Sequence, residues 1–204
     1  MNASNVSRRI GTTLALLAAA APLAVMAHTG TDDGGHHGFL AGALHPLTGA
    51  DHLAAMVGVG LWSALIARRA FPDLIWAPLG FAGMLLVGAL MGLAGVAMPA
   101  VEPMIAASLL VIGLLVVTRL RMPGVAAAAL VGVFAIFHGV AHGNELAGES
   151  EAAATLAGML AATALLHGLG IGLGWAVRRM GAWAPRVAGA AVAIFGLTLL
   201  VRMA

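Results

Sequence analysis

From residue 39 to residue 201 the chain is a succession of six apolar runs, separated by short breaks. They cover residues 39–66, 74–96, 104–118, 124–142, 152–177 and 184–201. A membrane helix needs about 20 mostly apolar residues. Inside lipid each backbone N–H and C=O must also be paired within the protein, so only helices and closed barrels can span. The short alternating strands of an outer-membrane barrel are absent from the sequence. The expected fold class is therefore all-α, a polytopic bundle of six transmembrane helices over residues 39–204. Pro72, Pro99, Pro103, Pro123 and Pro185 punctuate the connections, which leave no room for a separate soluble domain. Charged residues make up only 9% of the chain, against about a quarter in soluble domains.

Ahead of these runs, residues 1–27 read as an export signal. Arg8 and Arg9 form its positive end, residues 10–25 its apolar stretch, and Val25, Met26 and Ala27 its cleavage site. An uncleaved first membrane helix is the alternative. Cleavage would leave His28 at the mature terminus, offering an amine and an imidazole together. Residues 28–38 form a polar, glycine-rich tail with His28, His36, His37 and two aspartates, read either as a metal-gathering arm or as a flexible soluble tail.

The arginines fix an orientation. Arg68 and Arg69 follow the first run, Arg119 and Arg121 the third, and Arg178, Arg179 and Arg186 lie between the fifth and sixth. These are alternate loops, whereas the loops between them carry Glu102, Glu145, Glu149 and Glu151 and no arginine. Basic loops stay cytoplasmic, so both termini are expected on the periplasmic side of a bacterial inner membrane, with Arg202 as a mild exception. Trp62, Trp76, Trp175 and Trp183 fall near the cytoplasmic ends of the runs, where amphipathic rings favour the interface.

Chemistry is concentrated in the histidines, eight in a chain with no cysteine. Thiolate metal sites, disulfides and cysteine catalysis are thereby excluded. A net charge of +2, spread thinly, gives no footing for nucleic acid, and no phosphate-binding loop points to a nucleotide. The first run contains His45-Pro46-Leu47-Thr48-Gly49-Ala50-Asp51-His52. Pro46 removes a backbone donor and Gly49 loosens the helix, so a kink or unwound turn is expected there. Asp51 lies several residues inside the membrane, where a carboxylate costs on the order of 3 kcal/mol, a cost that a bound dication offsets. The fourth run ends Phe137-His138-Gly139-Val140-Ala141-His142-Gly143-Asn144-Glu145. At 3.6 residues per turn His138, His142 and Glu145 share one stripe, and two histidines one turn apart can hold one ion. Gly139 and Gly143 allow a neighbouring helix to approach closely. His167 stands near the middle of the fifth run, read either as a ligand or as a hydrogen-bonded packing residue. Glu145 reads equally as a ligand or an interface residue. Imidazole with carboxylate suits nickel, cobalt, zinc or ferrous iron without choosing among them.

The two motifs HPLTGADH and FHGVAHGNE, behind a signal and a histidine-bearing start, resemble the HupE/UreJ family over essentially the whole mature chain. That resemblance implies a secondary nickel or cobalt permease, associated with hydrogenase or urease maturation. It implies metal handling by His45, Asp51, His52, His138, His142 and Glu145, and its histidine at the mature terminus matches His28. No permanently bound cofactor is then expected: the nickel or cobalt ion is substrate, the lipid bilayer is the surroundings, and a homo-oligomer is compatible with the sequence. The competing reading of the same residues is a membrane metalloenzyme, a hydrolase or oxygenase, holding one fixed ion.

Overall fold

The computed structural model describes residues 38–68 and 71–204, and among these it is helical throughout apart from short connections. The expected export signal and the tail up to residue 37, with His28, His36 and His37, lie outside the described residues. Seven helices follow in order: α1 Phe39–Thr48, α2 Ala50–Ile66, α3 Trp76–Leu93, α4 Val101–Thr118, α5 Gly124–Glu145, α6 Ala152–Arg179 and α7 Trp183–Met203. Helices α3 to α7 are each long and apolar enough to cross a membrane, and α1 with α2 passes the same test only as a pair bent by 89°. The expected first span is thus broken, at the Pro46–Gly49 segment.

The helix starts follow from local chemistry. Pro78, Pro103 and Pro185 each occupy the third position of their helix, in α3, α4 and α7. First-turn N–H groups have no intrahelical partner, so proline loses nothing there and presets the backbone angle. This is why α4 begins at Val101, before Pro103, and not after it as the sequence suggested. Pro123 precedes α5 as its N-cap.

The bundle is apolar inside and out. Trp62, Phe81, Leu85, Leu109 and Ile112 are fully buried, while Leu79, Leu90, Leu165, Leu169, Ile194 and Val201 are exposed on the outside. A helix apolar all round belongs in a core or in lipid. In lipid no hydrophobic force draws helices together, so close packing must. Accordingly α3 runs against α5, α4 against α7, and α1 and α2 against α6. Small residues set these approaches: a Cβ on Gly139 would overlap the Leu85 carbonyl, and one on Gly143 would overlap that of Ala89. Backbone contact between α3 and α5 therefore falls beside His138 and His142.

The arginine-bearing ends of α2, α4 and α6 meet at one end of the bundle. Arg178 donates to the Ala64 carbonyl at 3.1 Å, Arg119 to that of Ala182 at 3.0 Å, and Trp62 Nε1 to that of Leu120 at 3.3 Å. These bonds satisfy carbonyls that a helix C-terminus or a loop leaves unpaired.

Candidate metal site

The break between α1 and α2 decides where the first motif's side chains go. In a straight helix His45 and His52 would stand about 10 Å apart along one face. Pro46 lies inside α1, and Gly49 adopts an extended conformation (φ −95°, ψ 112°) that ends one helix and starts the next. The turn folds His45 back toward α5, while His52, the third residue of α2, is buried inside the bundle. On α5 the helix continues through Gly143 to Glu145, which keeps His138, His142 and Glu145 on one stripe.

These elements build a continuous row of imidazoles. His45 meets His142 edge to face, ring centres 4.9 Å apart. His142 lies 4.5 Å from His52, and His52 lies 4.8 Å from His138. Beyond His138 the Phe81 ring follows at 5.5 Å, and His167 at 5.4 Å from Phe81. The row runs from partly exposed to buried: the Glu145 side chain is 44% exposed and that of His45 24%, while His52, His138, His142 and His167 are all buried.

At the open end, Glu145 Oε2 stands 3.4 Å from His142 Nδ1 and 3.6 Å from His45 Nε2. One donor atom from each of His45, His142 and Glu145 falls within 4.8 Å of the others. Donors around a cation at bond lengths of about 2.0–2.2 Å sit ~3–4 Å apart, so modest side-chain rotation brings the three onto one ion.

Deeper in, hydrogen bonds fix which ring nitrogen carries the proton. His52 Nδ1 lies 3.0 Å from Asp51 Oδ1, which also accepts the His52 backbone N–H at 2.8 Å. A carboxylate only accepts, so Nδ1 carries the proton and Nε2 the lone pair. Asp51 thus acts as the carboxylate behind a histidine, fixing the orientation of the ring. Ser108 Oγ donates to the Ile105 carbonyl at 2.6 Å and stands 3.0 Å from His138 Nε2. With its one proton engaged, the hydroxyl accepts from Nε2–H. The lone pair of His138 is then on Nδ1, which is buried with no hydrogen-bond partner among the described residues. His167 Nε2 is in the same condition. A buried polar atom left so is costly in apolar surroundings, and a passing cation would satisfy it.

The structure therefore brings together His45, Asp51, His52, His138, His142 and Glu145 from three helices, and sets His167 one ring further in. His138 and His142, which the sequence sets one turn apart on one stripe, have different neighbours: Ser108 for one, His45 and Glu145 for the other, with His52 against both. Ser108 and Phe81 belong to neither histidine motif. A lone serine in the apolar run of α4 was the available signal for the first. Phe81 had none, being one aromatic residue in an apolar helix. At the far end of α2 a cavity of about 360 Å³ opens among Ser63, Arg68, Asp73 and Arg121.

Fold and site together define a multi-pass membrane protein with an imidazole–carboxylate cluster set among its helices. Comparison with known proteins then gives the family. The HupE / UreJ protein family matches residues 14–199, and Protein HupE of Rhizobium leguminosarum bv. viciae is 43% identical over 196 residues, covering 95% of this chain and 97% of that protein. The chain belongs to the HupE/UreJ family, as its two histidine motifs suggested. No solved structure matches it.

Proposed function

We propose that this protein is a secondary permease carrying a divalent transition metal, nickel or cobalt, across the bacterial inner membrane to supply hydrogenase or urease maturation. The observation that carries the reading is the row of imidazoles from the exposed Glu145 and His45, through His142, His52 and His138, toward His167. A fixed enzymatic centre needs one set of ligands around one point; here the ligands form a succession, with ring meeting ring from His45 through His142 and His52 to His138. Transport sites must also release their ion, and several modest sites in line do so better than one tight site. Family membership supports nickel and cobalt as the cargo, which ligand type alone does not select.

Mechanistically, the ion would exchange water for His45, His142 and Glu145, pass to His52 and His138, then to His167, and leave toward the arginine-bearing end. Asp51 would hold His52 with its lone pair inward and partly neutralise the cation. The sequence carries no phosphate-binding loop, and the membrane potential or capture inside the cell would drive uptake. An inward dication gains about 4.6 kcal/mol per 100 mV, twice the single-charge value.

The test is influx of radioactive nickel into sealed vesicles holding the purified protein, with cobalt, zinc and iron as competitors. Uptake above protein-free vesicles, blocked by excess nickel or cobalt and lost in His52→Ala, is expected. Vesicles no more permeable than lipid alone would refute the proposal.

A further inference from the structure

We infer that Phe81 is a hydrophobic gate that separates the outer imidazole cluster from His167 and keeps water and ions from running through the bundle. This rests on the permeation reading above and adds the barrier that such a reading requires. A row of unbroken imidazoles with water between them would leak. Phe81, on α3, is fully buried. Its ring packs against both His138, at 5.5 Å and 55°, and His167, at 5.4 Å with the rings perpendicular. Each of those histidines presents a buried ring nitrogen with no hydrogen-bond partner among the described residues. Two histidines with a polar atom in want of a partner thus both meet a ring that offers none.

An ordinary core phenylalanine sits among apolar neighbours, and Phe81 does share the apolar core with Met56 and Leu85. What sets it apart is position: it touches both His138 and His167, which make no ring contact with each other among the described residues. Benzene carbon can neither ligate a cation nor relay a proton. Hydrophobic constrictions of this kind close by excluding water and open when a side chain turns aside. Nearby polarity is also engaged elsewhere: the Thr163 hydroxyl, one turn before His167 on α6, donates to the Met159 carbonyl at 2.8 Å.

The experiment measures proton leak into metal-free sealed vesicles under an imposed potential, with a trapped pH-sensitive dye. Phe81→Ala should leak at least tenfold faster than the unaltered protein, while Phe81→Leu, which keeps an apolar plug, should stay tight. Leu85→Ala opens a hole one turn along the same helix but outside the row, and it too should stay tight. If Phe81→Ala does not elute as a single helical species, Phe81→Val takes its place with the same expected direction. A tight Phe81→Ala or Phe81→Val protein, or a Leu85→Ala protein that leaks equally, would overturn the gate. The unaltered protein is assayed in parallel for nickel influx. Leak through Phe81→Ala without nickel influx in the unaltered protein would keep the gate and sink the permease; influx with a proton-tight variant would do the reverse.

Discussion

Ser108→Ala isolates the contribution of one buried hydroxyl to metal affinity. Ser108 touches no proposed path directly; its Oγ, fully buried on α4, accepts the His138 Nε2 proton at 3.0 Å while donating to the Ile105 carbonyl at 2.6 Å. Alanine leaves His138 two responses. The ring can keep its proton on Nε2, now unpaired in an apolar site at a cost of about 1–3 kcal/mol. Otherwise the proton moves to Nδ1, and the lone pair there is lost. Either response weakens ligation, and losing an outer hydrogen bond to a metal-binding histidine typically lowers affinity about 10–100-fold. That range corresponds to about 1.4–2.8 kcal/mol, in agreement with the cost of the unpaired N–H. Equilibrium titration of the purified protein with cobalt, followed through its visible absorption, measures this directly. Ser108→Ala should bind at least tenfold more weakly, and Ser108→Thr, which keeps the hydroxyl, within about threefold of the unaltered protein. An alanine variant with unchanged affinity would show that the hydroxyl does not set the His138 tautomer.

Three further outcomes follow from the same geometry. Asp51→Asn keeps the shape but removes the charge behind His52, so nickel influx at low external metal should fall at least tenfold, with normal influx counting against the path. Since a protonated imidazole has no free lone pair, influx should fall as the outer solution is acidified; influx that persists in acid down to the point of unfolding would exclude imidazole ligation from the path. Gly139→Ala would press a methyl group onto the Leu85 carbonyl, forcing α3 and α5 apart at a cost of about 1–3 kcal/mol. Thermal unfolding in detergent should register a lower midpoint, whereas Gly168→Ala, with open space at its Cβ, should leave it unchanged.

The sequence carried the spans because lipid imposes a composition: a run of apolar residues announces a helix whatever it packs against. Their ends were less visible. The break at Pro46 and Gly49 was legible from residue type, but its 89° angle was not, since it depends on α1 lying against α6. The expected third run began after Pro103, although a first-turn proline is part of its helix. Within the site, the stripe His138, His142, Glu145 followed from helical period alone. The meeting of that stripe with His45 and His52 did not, because contact across helices has no local signature. Ser108 and Phe81 went unseen for the same reason: each acts on an imidazole that is distant in the chain, 30 residues away for Ser108 and His138.

The elbow at Gly49 makes the spacing of the first motif a matter of phase. Adding a single residue between Gly49 and Asp51 would rotate the whole of α2 by about 100°. His52 would swing from the histidine row toward a neighbouring helix or the acyl chains, and Asp51 would lose the imidazole it supports. Exchanges of side chain at Leu47 or Thr48, both exposed, leave that phase untouched. In this stretch the number of residues is a stricter requirement than the identity of most of them.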